Sequence, residues 1–202
     1  MTARRGQDWG GPATTRPDVV VATDRELGRL LDNARGAGRE LGPVGLLGGD
    51  LCRTLGGRGD QARLYSDHAI AVTVDIGRAD ADDHSGWFVA HCIARRRWWG
   101  AGSVAVMNAA FLGAWNMAPR AHPNDGRLDV IESSLSAADR WKARRRLPLG
   151  THVPHPDIDQ RRVTVGEWTF RRPRSLRLDG HTVGRTRTLR VTIEPDALEV
   201  VI

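Results

Sequence analysis

Residues 108–130 read "NAAFLGAWNMAPRAHPNDGRLDV", and the end of this stretch places the turn residues of "PNDG" directly before an apolar run. Asn and Asp tolerate left-handed backbone angles and Gly adopts them freely, so "PNDG" predicts a tight turn that leads into a strand. The Pro-Arg-Ala-His-Pro run in front of the turn is more than a turn needs. We therefore expect this loop to hold something, and Asp125 is the candidate.

Around this loop, short apolar and β-branched runs are separated by turn residues. Such runs predict strands over residues 68–79, 86–96, 102–112, 127–133, 160–172, 175–180 and 186–202. We expect the last run to fold as a hairpin that turns at "EPDA", and residues 136–149 to form an amphipathic helix. Many short strands at this spacing are typical of a β-sandwich or a curled barrel.

Residues 18–58 follow a different pattern. "DVVVA" and "PVGLLGG" are continuous apolar runs typical of buried parallel strands, and each precedes a predicted helix. The first helix has Thr23 as N-cap and Glu26 three residues later, which is the capping-box spacing. We expect an α+β fold: a disordered lead-in over 1–17, a short α/β segment over 18–58 and a β-sandwich over 59–202.

The composition excludes some classes of function but does not identify one. The chain has 202 residues and a formal net charge of +6, and Lys142 is its only lysine. No apolar run approaches the roughly 20 residues that cross a bilayer, and residues 1–17 lack the apolar core of a secretory signal. Cys52 and Cys92 lie far apart without a CxxC spacing, which predicts free thiols and a cytoplasmic protein. A basic surface suits nucleic acid, anionic lipid or phosphorylated substrates.

Several candidate sites have a structural alternative. Asp125 with nearby carbonyls suits Mg²⁺ or Ca²⁺, or it bonds local N–H groups in a turn. The pattern "LDGH" places Asp179 at a strand end, either as a catalytic carboxylate or as part of an Asp-Gly hairpin. His122, His152 and His155 could form a zinc set only if they converge in space. "ARRRWW" and "KARRR" would suit a nucleic-acid-binding module, which is the alternative function.

Taken together, these segments resemble the bacterial diacylglycerol kinase and related lipid kinase family, which includes the sphingosine kinases. The resemblance is mainly to its C-terminal β-sandwich half. "LRLDGHTVG" is similar to the family's Asp-Gly-Glu stretch, and residues 108–130 are similar to its Pro-x-Ala-x-Pro-x-Asp-Gly-x-Leu-Asp segment. The matching residues of that segment are Asn108, Gly113, Pro119, Ala121, Pro123, Asp125, Gly126, Leu128 and Asp129.

The resemblance implies an α/β nucleotide-binding part, a β-sandwich and an active site between them, where ATP phosphorylates a lipid hydroxyl. It implies a structural Mg²⁺ held by Asp125 with the backbone oxygens of His122 and Arg127. It also implies catalytic residues at Asp179 and His181, and a nucleotide site that includes Asp24, Gly48, Gly49 and Asn108. The implied partners are a lipid, a membrane surface and a second copy paired at an open sheet edge; nucleic acid is not expected.

The sequence departs from the family where nucleotide is bound. The first glycine loop is replaced by "TDREL", the second is shortened to "LLGGD", and His181 stands where the family has Glu. The family's first α/β segments also have no counterpart here. Because phosphoryl transfer depends on positioning around the phosphates, we expect a degenerate nucleotide site, doubtful ATP binding and an activity that is lost or depends on another chain.

Overall fold

The computed structural model describes residues 9–96, 102–134, 139, 145–150 and 157–202. Its helices are α1 (Asp24–Gly36), α2 (Gly49–Thr54) and α3 (Gln61–Leu64), with a 3₁₀ turn at Leu147–Leu149. Its strands are β1 (Gly10–Pro12), β2 (Val19–Val21), β3 (Val44–Leu46), β4 (Ile70–Ala81), β5 (Ser85–Phe88), β6 (His91–Arg95), β7 (Ser103–Met107), β8 (Phe111–Leu112), β9 (Trp115–Asn116), β10 (Leu128–Ser133), β11 (Ile158–Val163), β12 (Val165–Leu178) and β13 (His181–Val201).

Antiparallel pairing runs through most of the molecule. The strand order is β1-β4-β13-β12-β6-β7-β10-β11, with β5 on β4, and β8 pairs only with β9 among the described strands. Among the described strands, parallel pairing is confined to β2 with β3 and β3 with β13, where Val44 lies opposite Val200. The fold class predicted from the sequence, a short α/β segment followed by a β-sandwich, is confirmed.

Two apolar cores flank the junction between these parts. One packs α1 and α2 against β3, β4 and β13 and includes the fully buried Leu27 and Leu51. The other fills the sandwich, with Phe88 and Leu176 among its buried side chains.

Helix α1 begins as its sequence predicts. Thr23 is the N-cap, its hydroxyl accepts the Glu26 backbone N–H at 3.2 Å, and the Glu26 carboxylate accepts the Thr23 N–H at 3.2 Å. Leu27, Leu31 and Ala34 follow on the buried face. The capping box thus fixes the point at which the chain turns from β2 into the helix.

We expect Thr23→Ala to lower the free energy of unfolding by about 1 kcal/mol, because one N–H of the first turn loses its side-chain acceptor. Equilibrium urea denaturation measures the change. Thr23→Ser keeps the hydroxyl and serves as the matched control, with little loss. Equal losses in both variants would contradict the capping role.

The predicted hairpin at the end of β13 is wrong. β13 continues to pair with β4 through this region, and "EPDA" forms a break in register between Glu194 and Leu198. Asp196 has a φ of 53° there, and its N–H donates to Asp75 Oδ1 at 2.9 Å. A buried carboxylate on the neighbouring strand thus turns the Pro-Asp pair into a bulge rather than a chain reversal.

The structure tests only part of two further predictions. Residues 10–12, inside the predicted disordered lead-in, form β1 and pair with β4, so that part of the lead-in is ordered. The predicted helix over 136–149 lies largely outside the described residues. None of the described helices is long and apolar enough to span a membrane.

Candidate functional site

A cavity of about 550 Å³ opens between the α/β segment and the sandwich. The loops after β2 and β3, the strand β6 and the β12–β13 turn all contribute to it. Its lining residues are Thr23, Asp24, Arg25, Gly49, Asp50, His91, Ile93, Arg95, Leu112, Gly113, Trp115, Arg177, Asp179 and Gly180.

Asp179 lies in the two-residue turn between β12 and β13, where it and Gly180 have φ values of 45° and 77°. Its carboxylate accepts three successive backbone N–H groups at 2.9, 2.9 and 3.0 Å, from Val89, Ala90 and His91. Burial raises the pKa of Asp179, while the His91 imidazole and the three N–H donors oppose that rise. Asp179 therefore ties the turn to the start of β6, and both oxygens are already hydrogen-bonded.

Asp24 follows β2 and reaches the N-terminus of α2. Its Oδ2 accepts the Asp50 N–H at 2.5 Å and its Oδ1 accepts the Leu51 N–H at 3.1 Å. Burial, and then the nearby Asp179 carboxylate, raise the pKa of Asp24 to about 7. The protein's own carboxyl group thus occupies the backbone donors that an anion would otherwise use.

Gly49 makes this close approach sterically possible. Its φ is 97°, a left-handed value that glycine adopts without strain, and a Cβ there would lie 2.7 Å from Asp24 Cγ. Gly48 packs as closely, since a Cβ there would lie 2.5 Å from the Ala22 carbonyl oxygen. The sequence predicted these glycines to bind nucleotide. In the structure they allow the loop after β3 to pack closely against the loop after β2.

Asp50 and His91 form the polar centre of the cavity. The His91 Nε2 lies 3.1 Å from Asp50 Oδ2, and the Gly113 N–H donates to both Asp50 oxygens at 2.9 and 3.0 Å. Burial alone would lower the pKa of His91, but the hydrogen bond to Asp50 and the charges of Asp179, Asp50 and Asp24 raise it. Burial would raise the pKa of Asp50, but His91 and the Gly113 N–H lower it. The pair therefore favours imidazolium and carboxylate.

The other residues expected in the site lie apart from this cavity. His181 is exposed at the start of β13 and is not among the lining residues. Asn108 is buried, and its Nδ2 donates to the carbonyl oxygens of Asp75 and Val89 at 2.8 and 2.9 Å. Its placement fits a structural link between β4 and the chain before β6. The structure thus brings together Asp24, Gly49 and Asp179, and leaves His181 outside.

The "PNDG" loop is held by Asp75, a fully buried residue of β4. Asp75 Oδ2 accepts the Gly126 N–H at 2.8 Å, and the Asp75 N–H donates to the Pro123 carbonyl oxygen at 2.7 Å. The Asn124 amide reaches Asp196 Oδ1 at 2.9 Å. The loop therefore fastens β4 to the bulge of β13.

The predicted Mg²⁺ ligands in this loop already have other partners. Asp125 accepts the Arg127 N–H at 3.1 Å and an Arg162 guanidinium N–H at 3.1 Å. The His122 carbonyl oxygen accepts the Asp125 N–H at 3.3 Å. The imidazole ring of His122 contacts the ring of Trp9. A guanidinium beside Asp125 disfavours a cation, so these contacts fit the structural turn better. The Mg²⁺ site stays a prediction.

No group of three or more His, Cys, Asp or Glu residues that could hold a metal ion occurs in the described part of the chain. His152 and His155 lie outside the described residues, as do residues 97–99 of "ARRRWW" and residues 142–144 of "KARRR". Neither the zinc set nor the nucleic-acid alternative gains support here.

Sequence reasoning missed Asp50, His91, Arg95 and Arg177. The signal for two of them was present in β6, where His91, Ile93 and Arg95 alternate with Cys92 and Ala94. Cys92 and Ala94 pack into the sandwich core, which places the other three on the opposite face. Arg177 pairs with Ile93 in the register of β12 and β6. No sequence pattern marks Asp50, because its partner is distant in the chain.

Comparison with known proteins identifies the family and the fold. Residues 63–202 match the family described as "YegS C-terminal NAD kinase beta sandwich-like domain". Two solved chains from Bacillus anthracis str. Sterne, both assigned as a diacylglycerol kinase, superpose with TM-scores of 0.68 and identities of 12% and 14%. They cover 90% and 91% of this chain, which covers 76% and 77% of theirs.

A third solved chain from the same strain, described as a diacylglycerol kinase, has a TM-score of 0.61 and 13% identity, covering 91% of this chain and 75% of its own. No curated protein sequence matches this chain. The shared fold is thus that of the diacylglycerol-kinase-like proteins. The chain belongs to the family of YegS C-terminal NAD kinase beta sandwich-like domains.

Proposed function

We propose that this chain is a lipid-kinase-family protein that binds a lipid in the cavity and, as an isolated chain, does not transfer a phosphoryl group from ATP. In the family reaction ATP supplies the phosphoryl group and a lipid hydroxyl accepts it. The observation that carries the proposal is the position of Asp24, whose carboxyl group occupies the N–H groups of Asp50 and Leu51.

The loop after β2 supports the same conclusion. Backbone can approach a phosphate closely only where side chains are small, and here Thr23, Asp24 and Arg25 follow the strand. The side chains that replace the glycines of this loop therefore oppose nucleotide binding by their bulk.

The lipid part of the proposal rests on the sandwich side of the cavity. Ile93 from β6 is buried, and Leu112 and Trp115 from the β8–β9 hairpin are half-buried beside it. Together they form an apolar wall next to the polar centre at His91. An acyl chain against that wall would bring the polar end of a lipid to Asp50 and His91.

The open edge of β2 is a place where a strand of another chain could pair. Among the described strands β2 pairs only with β3. An unpaired edge is a template for a further strand. We propose that a second copy or another chain pairs here, and that any ATP-dependent activity requires such a partner.

We expect the purified chain to show no binding of ATP in the micromolar range in calorimetric titrations with Mg²⁺. We expect no phosphorylation of diacylglycerol above a chain-free control. An active diacylglycerol kinase under the same conditions is the positive control. Micromolar ATP binding, with or without turnover, would contradict the proposal.

A further inference from the structure

We propose that the β8–β9 hairpin is a lid over the cavity, fastened at its tip to α2 and able to open while the rest of the fold stays intact. Opening of this lid governs how a ligand enters and leaves the cavity, which the proposed function does not address. Only the kind of ligand, a lipid, rests on the proposed function.

The hairpin forms a small sheet of its own. Leu112 of β8 lies opposite Trp115 of β9, and among the described strands these two pair only with each other. At the base of the hairpin the Ala118 N–H donates to the Ala110 carbonyl oxygen at 3.0 Å, and the Ala110 N–H donates to the Thr54 hydroxyl at 3.0 Å. A hairpin of two strands is at best marginally stable alone, so contacts with the surrounding protein keep it closed.

Two residues of α2 hold the tip of the hairpin, which is Gly113. Its N–H donates to both oxygens of Asp50 at 2.9 and 3.0 Å, and its carbonyl oxygen accepts an Arg53 guanidinium N–H at 2.8 Å. The same guanidinium lies 3.9 Å from the ring centroid of Phe111. Because Asp50 and Arg53 are three residues apart, they lie on one face of the helix. Both backbone polar groups of the tip are therefore bound by one short helix.

The contacts at the tip can break at low cost. Gly113 and Arg53 are both exposed, so their polar groups can exchange protein partners for water. A hydrogen bond whose partners reach water contributes little net stability. Asp50 keeps its bond to His91 when the Gly113 N–H leaves. The tip can thus detach without leaving a buried polar group unpaired, while the bonds at the base remain.

The hairpin covers the apolar side of the cavity. Leu112 and Trp115 line the cavity and are half-buried. Leu112 also packs at the edge of an apolar cluster that includes Ile93 and Met107. Closing the hairpin removes this apolar surface from water. Opening it uncovers Ile93, and an apolar chain bound there would be enclosed when the hairpin closes again.

Amide hydrogen exchange of the ligand-free chain, resolved by NMR, tests the lid. Local opening exposes amides without global unfolding, so we expect the Gly113 amide to exchange at least roughly tenfold faster than the Ala118 amide at the base. Low concentrations of urea should leave the Gly113 rate unchanged, because opening of the tip exposes little surface. They should raise the rate of the Val106 amide in the centre of β7, which exchanges only on global unfolding.

Arg53→Gln removes one of the two tip contacts without touching the Gly113 N–H itself. We expect exchange of the Gly113 amide to rise by roughly tenfold, with no change at Val106. Arg58→Gln removes the same charge at an exposed position shortly after α2 and should change the Gly113 rate by less than about twofold. If Arg53→Gln melts well below the wild type, Asp50→Asn weakens the other contact and should give the same local increase.

Dioctanoylglycerol connects the lid to the proposed lipid binding. Calorimetry measures whether this lipid binds, and exchange is then repeated at a saturating concentration. A ligand enclosed by the hairpin stabilises the closed state, so we expect the Gly113 rate to fall by at least roughly threefold. The Val106 amide reports any general stabilisation of the fold.

Equal Gly113 rates in folded Arg53→Gln and Arg58→Gln would overturn the lid, as would a Gly113 amide that exchanges only on global unfolding. Dioctanoylglycerol that binds without slowing Gly113 exchange would also overturn it and leave the proposed lipid binding standing. Local opening of the hairpin in a chain that does not bind the lipid would support the lid and contradict the proposed lipid binding.

Discussion

Asp179→Ala should lower the free energy of unfolding by about 3 to 5 kcal/mol, one of the largest effects of a single substitution in this chain. The carboxylate is buried and accepts three backbone N–H groups from Val89, Ala90 and His91. Alanine would leave all three unpaired in the interior, and it would also have to adopt a φ near 45°. Urea denaturation with far-ultraviolet circular dichroism measures the loss.

Asp179→Asn is the informative companion variant. An amide oxygen can still accept hydrogen bonds, and Asn tolerates left-handed backbone angles, so we expect a loss of only about 1 to 2 kcal/mol. Asp67→Ala, at an exposed position, should change stability by less than about 0.5 kcal/mol. If Asp179→Ala were as stable as the wild type, the carboxylate would not hold the turn, and a purely catalytic role would become the better explanation.

Stability should fall by about 4 kcal/mol between pH 4 and pH 7 because of Asp24. Its pKa is raised from 3.8 to about 7 in the folded protein. Above pH 3.8 the unfolded chain releases this proton, whereas the folded chain keeps it until about pH 7. The folded state therefore binds more protons in this window, and unfolding becomes easier as the pH rises. Each pKa unit corresponds to about 1.4 kcal/mol.

Asp24→Asn isolates this contribution, because its side-chain oxygen can still accept a hydrogen bond from α2 but does not titrate. Unfolding free energies of the wild type and the variant at pH 4 and pH 8 give the comparison. The pH-dependent loss should shrink by most of the 4 kcal/mol attributed to Asp24. Asp67→Asn, at an exposed position, should leave the loss unchanged. The same pH dependence in Asp24→Asn and wild type would show that Asp24 titrates normally.

The parts of the fold that local chemistry determines could be predicted from the sequence. The capping box at Thr23 and Glu26, the apolar runs of β2 and β3, and the Asp-Gly turn before β13 each depend on neighbours in the chain. "EPDA" could not be predicted, because its conformation is set by Asp75, a carboxylate more than a hundred residues away.

The candidate site shows the same division. Asp24 and Asp179 were identified because a family pattern marks them, yet the pattern could not reveal that each carboxylate bonds backbone N–H groups of another segment. Asp50 and His91 were missed, since their pairing joins residues that only the tertiary fold brings together. His181 was selected by its place in the motif, but it is exposed and does not line the cavity.

The parallel pairing of β3 with β13 has a consequence for folding during synthesis. β13 is made after every other described element, and Val44 and Gly45 of β3 pair with Val200 and Val201. Until β13 leaves the ribosome, the strands β2 and β3 lack the neighbour that joins them to the rest of the sheet, and such long-range pairing forms slowly. The apolar β2–β3 strands would then be exposed in the nascent chain, where chaperone binding or early pairing with another chain can intervene.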